Sequence, residues 1–253
     1  MTTAEAFDRG AGRYDLLVSL NPGYHAHLRS AARELLRRIR PARGERPAVL
    51  LDLACGSGAS TRALLDAAEP GDEILGIDAS AGMLAEAGRK PWPARVTFER
   101  GTVGSLDVDG LGRGAHDGIL AAYLLRNIPA GQRDVAVREC FELLAPGGWI
   151  VAEEYSVAGR PLDALRWTLV SWLAIIPLGA LLDRNPGLYA YLWRSVLAFD
   201  DRARFARRLR EAGFEGVRVR TVGGWQRGIL HIAVGRRPRA SSAGPRRPEA
   251  GAR

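Results

Sequence analysis

The run Val49-Leu-Leu-Asp-Leu-Ala-Cys-Gly-Ser-Gly-Ala59 decides how this chain is read. An unbroken apolar stretch empties into a Gly56-x-Gly58 turn, and a helical pattern starts near Ser60. Strand, glycine turn and helix in that order open a βαβ unit. Glycines at 56 and 58 remove the Cβ atoms that would keep a ligand off the backbone, and the helix start offers unpaired N–H groups to an anion. Twenty residues after Gly58, Ile74-Leu-Gly-Ile-Asp78 puts a carboxylate at the end of a second strand. An acid there can accept both hydroxyls of a ribose. A dinucleotide fingerprint needs a third glycine three places after the second, and Thr61 occupies that place. The pattern therefore suits an adenosine carrying an anionic group better than a pyrophosphate.

Outward from this core, short apolar runs and helical stretches alternate. Strands are expected near 48–53, 73–77, 95–99, 117–122 and 149–154, with helices near 59–68, 80–88 and 131–144. Runs such as Ile119-Leu-Ala-Ala imply burial on both faces, as in a parallel sheet. Upstream, Leu28, Ala31, Ala32, Leu35, Leu36 and Ile39 recur at helical spacing, and Pro41 is expected to end that helix. Downstream lie a helix near 200–212, stopped at Gly213, and two β-like runs, 216–222 and 228–234, joined through Gly223-Gly224.

Residues 160–198 break the alternation. Trp167–Leu182 is the most hydrophobic stretch, and its 16 residues fall short of the roughly 20 a single span needs. It reads equally as a buried helix pair over the sheet, a greasy lid for an apolar acceptor, or a peripheral membrane contact. The resulting division is an N-terminal helical cap (1–45), a nucleoside-binding core (46–157), an apolar helical insertion (158–198), a C-terminal helix and β-hairpin (199–235) and a disordered basic tail from Arg236 to Arg253.

The 253 residues are 47% hydrophobic and 25% charged, enough for one α/β domain with additions. Of the +8 net charge, most resides in the tail, where six arginines face only Glu249. The body shows no basic-aromatic interleaving, so no nucleic-acid partner is expected. Cys55 and Cys140 are too few for a disulfide framework and lack zinc-site spacing, so reduced thiols and no metal are expected. The start, Met1-Thr-Thr-Ala-Glu-Ala, has no signal-peptide pattern, which favours the cytoplasm.

The spellings Leu51-Asp-Leu-Ala-Cys-Gly-Ser-Gly58, Gly76-Ile-Asp-Ala-Ser-Ala-Gly-Met-Leu84 and Leu144-Ala-Pro-Gly-Gly-Trp-Ile-Val-Ala-Glu-Glu154 resemble class I S-adenosylmethionine-dependent methyltransferases. Further elements narrow the resemblance to the ubiquinone/menaquinone biosynthesis C-methyltransferase family. They are Phe7-Asp-x-x-Ala11-x-x-Tyr14-Asp15, Gly23-x-His25, Leu125-Arg-Asn-Ile-Pro129, Tyr191-x-x-x-Ser195 and Glu211-Ala-Gly-Phe214, and together they cover about residues 7–235.

That likeness implies a Rossmann-like α/β fold, mostly parallel and seven-stranded with one antiparallel strand, and methyl transfer to a ring carbon of a prenylated quinol. By matching position, Asp52, Ala54, Gly56 and Gly58 would hold the methionine moiety of S-adenosylmethionine and Asp78 the ribose. Ala79, Ser80 and Met83 would line the adenosine edge. The family's adenine-facing acid is replaced by Gly101-Thr102-Val103, leaving Thr102 and Val103 to that task. Tyr14, Arg126 and Asn127 would face the acceptor. Tyr123, after the fourth strand, joins the cofactor set by its place at the carboxyl edge of the sheet.

Methylating a phenolic ring carbon requires the ring hydroxyl to lose its proton, and His25 is the candidate base because histidine titrates near neutrality. His27 and His116 read as solvated or loop residues, and His231 as a core histidine. Glu153 and Glu154 are weaker candidates, because one of two consecutive strand residues should point away from the site. Departures at Val18, Thr102 and His231 keep two alternatives open: an O-, N- or C-methyltransferase of a specialised metabolite, and a non-catalytic domain that binds the cofactor or a hydrophobic partner. A homodimer is also left open.

Overall fold

The computed structural model describes Asp8, Asn21, residues 23–182 and residues 186–239. Seven strands form one sheet: β1 (Val49–Leu53), β2 (Glu73–Asp78), β3 (Val96–Arg100), β4 (His116–Ala122), β5 (Leu144–Tyr155), β6 (Glu215–Thr221) and β7 (Leu230–Arg236), in the order β3-β2-β1-β4-β5-β7-β6. Every pairing from β3 across to β5 is parallel, and β7 runs antiparallel to both its neighbours. The order reverses at β1 and β4. Adjacent loops diverge there, which leaves a crevice at the carboxyl edge.

Helices cover both faces. On one lies α1 (Tyr24–Arg43), with α2 (Ala59–Ala67) beside it; Leu28, Ala31, Ala32, Leu35, Leu36 and Ile39 are at most 2% exposed, as their spacing requires. Pro41 sits inside α1 rather than ending it. Its missing N–H costs one bond to the previous turn, and the helix runs two residues further, to where Arg43 pairs with Asp72 at 2.6 Å. The short α3 (Ala81–Gly88) follows β2, and α4 (Arg133–Leu143) and α8 (Arg202–Glu211) pack on the other face through Val137, Leu143, Phe205 and Leu209.

The insertion holds α5 (Pro161–Val170), a π-helical turn (Ser171–Ile175), α6 (Ile176–Leu182) and α7 (Pro186–Ala198). Pro177 would clash with the carbonyl four residues back, and the widened turn just before it accommodates that loss. The helical run Pro161–Leu181 is 21 residues long, because it starts well before Trp167. By length and composition it could cross a membrane, so the 16-residue reading was too short. The buried-pair reading fails as well: only 17% of its most apolar window is buried, and Leu162, Leu165, Leu169, Trp172, Leu173 and Leu181 stand exposed.

The basic tail also differs from expectation at its start. Arg236 closes β7, and the Arg237 guanidinium donates to the carbonyls of Phe141, Glu142 and Leu144 at the end of α4. A cation on the carbonyls at a helix C-terminus is a cap, here shared with the Gly114 N–H on the Glu142 carbonyl, and charge counting misses it. Residues 240–253 lie outside the described residues.

Candidate functional site

Two cavities of opposite character meet at the carboxyl edge of β1, β4 and β5. The first, about 80 Å³, is lined by Ala54, Gly56, Asp78, Met83 and Asn127 among others. Ala54 turns out of β1 at φ 61°, and Gly56 follows at φ 55° with open space where a Cβ would stand. Beneath the turn, Asp52 is fully buried and accepts from Ser60 Oγ at 2.8 Å and Thr61 Oγ1 at 2.6 Å. Thr61, the residue in place of a third glycine, thus helps staple strand to helix. Burial pushes the Asp52 carboxyl up to about 7.

Asp78 ties the loop to the next helix. Its Oδ2 accepts from the Gly56 N–H and its Oδ1 from the Ser80 N–H, both at 2.8 Å. Burial raises its pKa, and those backbone donors oppose the rise. Ser80 caps α3 by accepting from Met83 N–H and donates its own hydroxyl to Asp8. Asp8 also accepts from the Gly82 N–H, so this residue is tied to the start of α3.

The second cavity, about 280 Å³, is apolar, and Trp167, Ile175, Leu178, Leu192, Trp193 and Trp225 contribute to its walls. Tyr24, Tyr123 and Arg126 line both cavities and form the partition. Tyr24, Tyr123, Tyr155 and Trp167 stack in a column, with successive ring centroids 5.5, 5.2 and 5.6 Å apart. Tyr123 holds φ 59°, an unfavourable backbone for a non-glycine residue. It is kept there by its N–H on the Glu153 carbonyl at 2.7 Å and by Asn127 Nδ2 on its own carbonyl at 2.8 Å. Strain held at the mouth of a crevice is a mark of functional sites.

Both carboxylates ending β5 are buried, against the expectation that one would point away. Their side chains do leave opposite faces, but β5 is flanked by β4 and β7 and covered on both sides. Glu153 Oε1 accepts from Tyr123 Oη at 2.7 Å, and its Oε2 has no partner among the described residues. Glu154 accepts from the Leu125 N–H and pairs with Arg126 at 3.3 Å. Burial pushes each carboxyl up to about 7, against the pull of Tyr123 on one and Arg126 on the other.

Of the sequence-derived cofactor set, Ala54, Gly56, Asp78, Met83 and Tyr123 line the polar cavity. Asp52 and Ser80 support it from behind. Gly58 packs instead under Trp92, whose ring a Cβ would meet at 2.8 Å. Ala79 receives Arg100 on its carbonyl, Thr102 is exposed and Val103 is buried in the core; none of the three is on the wall. Among the acceptor residues, Arg126 and Asn127 are at the partition, whereas Tyr14 lies outside the described residues. His25 lines neither cavity: it is exposed, edge-on to Tyr24, over a separate cleft with Arg29 and Trp92. His116 is a buried strand residue on the Leu143 carbonyl, not a loop residue, and His27 is half-buried on α1. His231 is a core histidine bonded to the Ser156 carbonyl, with its pKa lowered to about 4 by burial.

Tyr24, Tyr155 and the tryptophans went unread in the sequence. Tyr24 was within reach: it is four residues before Leu28 on the buried stripe of α1, whereas His25 falls off that stripe. Tyr155 simply extends the β5 run past its acids.

A sheet in this order, with a glycine turn after β1 and an acid ending β2, defines the class I S-adenosylmethionine-dependent methyltransferases. Solved structures agree on the fold. The CurJ carbon methyltransferase has a TM-score of 0.59 at 19% identity, covering 80% of this chain and 51% of that one. A Thermotoga maritima methyltransferase, described as a possible histamine N-methyltransferase, has a TM-score of 0.59 at 15% identity, covering 92% and 99%. More particularly, the chain belongs to the ubiE/COQ5 methyltransferase family, whose model matches residues 2–235. It is 32% identical to the ubiquinone/menaquinone biosynthesis C-methyltransferase UbiE of Bradyrhizobium diazoefficiens, covering 91% of this chain and 89% of that protein. With the demethylmenaquinone methyltransferase of Mycobacterium tuberculosis it shares 30% identity, over 93% and 92%. The chain is an S-adenosylmethionine-dependent methyltransferase.

Proposed function

We propose that this enzyme methylates a ring carbon of a prenylated quinol, with the cofactor in the polar cavity and the acceptor ring in the apolar one. The observation that carries the reading is the shared partition: Tyr123 and Arg126 belong to both cavities, so a donor in one faces an acceptor in the other. The relatives named for quinone methylation support the choice of acceptor.

The polar residues suit the cofactor. Open space beside Gly56, the buried Oδ1 of Asn127, without a partner among the described residues, and the Asp78 carboxylate offer room for the methionine moiety, an acceptor for its ammonium and acceptors for ribose hydroxyls. Met83 provides an apolar surface for adenine. When bound, S-adenosylmethionine supplies an electrophilic methyl group. The protein's work is then to orient the ring, exclude water and stabilise the ring oxygen's charge. Arg126 serves the last purpose, and the tryptophan-rich wall the second.

The outward face of the insertion adds a partner. Along Pro161–Leu181 one side (Trp167, Val170, Ser171, Ala174, Ile175, Leu178) lines the cavity and the other is exposed. Leu178 and Trp225 belong both to the cavity wall and to the exposed apolar surface, so the mouth opens onto that surface. Exposed Arg160, Arg166 and Arg227 flank it. A bilayer with anionic headgroups matches an apolar strip edged by arginine, and would deliver a prenyl tail directly.

The test is purified enzyme with methyl-labelled cofactor and a demethylmenaquinol in detergent. Label on the quinol ring is the expected result. Label on other acceptors alone, or cofactor binding without turnover on any, overturns the acceptor assignment.

A further inference from the structure

Glu153 is an acid with nothing structural to justify its burial. It caps no helix, its backbone pairs in register with Ile232, and half its carboxylate has no partner among the described residues. An unpaired buried carboxylate oxygen is costly and marks a group with another task. Its one side-chain partner is the hydroxyl of Tyr123, the residue that separates the two cavities. We propose that Tyr123 and Glu153 form the proton relay for the acceptor, with Tyr123 touching the ring hydroxyl and Glu153 storing its proton behind. The proposal rests on reading the apolar cavity as the acceptor site.

The step balances as follows. The ring hydroxyl gives its proton to Tyr123 Oη while the proton already on Tyr123 moves along the 2.7 Å bond to Glu153 Oε1. The ring, now an oxyanion beside Arg126, uses its electron pair to form the carbon–carbon bond to the methyl group, and the sulfur keeps the pair of the bond that breaks. As the ring C–H proton leaves to water, the stored proton returns through Tyr123 to the ring oxygen. One proton reaches solvent per turnover, and Glu153 ends as it began.

The surroundings fit this use. The phenol alone is a poor store, since burial among Tyr155, Glu153 and Tyr24 raises its pKa well above the ordinary value. Glu153 is poised near neutrality, where a base exchanges protons most readily. The charged and titratable groups around it are Tyr123 after β4, Tyr155 on β5 and Arg220 on β6, with Glu154 acting as a like charge from the opposite face of β5; Tyr24 on α1 stacks on Tyr123. Tyr155 accepts from Asn21 and from Gln226, the latter at 2.9 Å, which holds its ring, and so that of Tyr123, in place.

The experiment compares wild type with Tyr123→Phe, Glu153→Gln and Glu153→Asp. Both Tyr123→Phe and Glu153→Gln should lower kcat roughly 100-fold, the low end for general acid–base catalysis, with calorimetric cofactor affinity unchanged in Glu153→Gln, since Glu153 lines neither cavity. Wild-type kcat should rise with pH through a midpoint near 7. That limb should vanish in Glu153→Gln and return, weakened, in Glu153→Asp. Independently of turnover, the infrared carbonyl bands of protonated carboxyls in ligand-free protein should include one that titrates near neutrality and is lost in Glu153→Gln, while those of Asp52 and Glu154 remain. Wild-type kcat in Tyr123→Phe, or an unchanged pH limb in Glu153→Gln, overturns the relay. So does the absence of that titrating band, whatever the acceptor. A titrating Glu153 in an enzyme that methylates another phenol and not the quinol overturns the acceptor assignment and leaves the relay standing.

Discussion

The polar cavity and the apolar cavity share three residues and are built on opposite plans. The first is built mainly on the segments that follow β1, β2 and β4, which meet because parallel neighbours bring their carboxyl ends together. The second gathers Asn21, Tyr24, Tyr123, Tyr155, Trp167, Trp193 and Trp225 from across the whole sequence. Backbone geometry fixes one site, and side-chain volume on separately docked elements fixes the other. Substitutions should accordingly cost binding in the first and turnover or packing in the second.

The largest effect is expected at the partition, where the plans meet. Replacing Arg126 with methionine leaves Glu154, 0% exposed, without its countercharge. Breaking a buried pair from one side costs about 3–5 kcal/mol, to be read from urea unfolding at pH 8, above the Glu154 value of about 7, and Arg126→Lys should recover part of it. Little change in unfolding midpoint would mean that Glu154 is held neutral, and that Arg126 serves the acceptor alone.

Next comes Asp78→Ala. Charge-assisted hydrogen bonds contribute about 1.5–3 kcal/mol each, so losing those to a ribose should weaken the cofactor at least roughly 100-fold in calorimetry while the fold persists. Unchanged affinity would break the assignment of the polar cavity to the nucleoside.

The two plans also explain what could be read without a structure. Strand, turn, helix and distal acid are local patterns with period and spacing, so the glycine turn, Asp78 and the sheet were legible. The antiparallel hairpin at the C-terminus was legible too, from two β-like runs about a glycine pair. The apolar cavity has no spacing to detect, because Tyr155 and Trp225 meet only after β5, β7 and the insertion are docked. His25 drew attention by its residue type, whereas helix periodicity already placed Tyr24, not His25, toward the sheet. Reading Glu153 and Glu154 as alternatives assumed a strand with one open face, and the central position of β5 removes that choice.

Buried acids bear on the same comparison through pH. Glu153 and Glu154 are each raised from 4.5 to about 7 by burial, and Asp52, from 3.8, to about 7. Between those values the folded protein holds protons that the unfolded chain has released, so stability is full below about pH 4 and falls as pH rises toward 7. A shift of this size corresponds to roughly 3 kcal/mol per acid. Urea midpoints measured from pH 5 to 8 should fall with pH, and Glu153→Gln should flatten the slope. A rising midpoint over that range would contradict the burial of these groups as neutral acids.

Away from both cavities, Arg237→Ala should cost about 1–3 kcal/mol by removing the guanidinium that donates to the carbonyls at the end of α4, of which Glu142 keeps the Gly114 N–H. Truncation after Gly235 should lose as much, and truncation after Arg239 should lose none of it. Equal melting temperatures for the two truncations would show that the cap is not formed in solution.

The smallest stability change is expected where the insertion faces outward, and there it is the informative result. Leu165 and Leu173 are 57% and 78% exposed, so changing both to serine should shift stability by no more than about 0.5 kcal/mol at each site. An inward neighbour behaves differently: Trp167 is 7% exposed and stacked on Tyr155, and its loss to alanine should cost several kcal/mol. If the outward face rests on a bilayer, the double serine variant should keep wild-type melting and wild-type turnover of a short-chain quinol in detergent. It should also lose flotation with vesicles containing phosphatidylglycerol. A matching loss of melting temperature would mean instead that these leucines are covered by protein, and the acceptor would then have to reach its cavity from water.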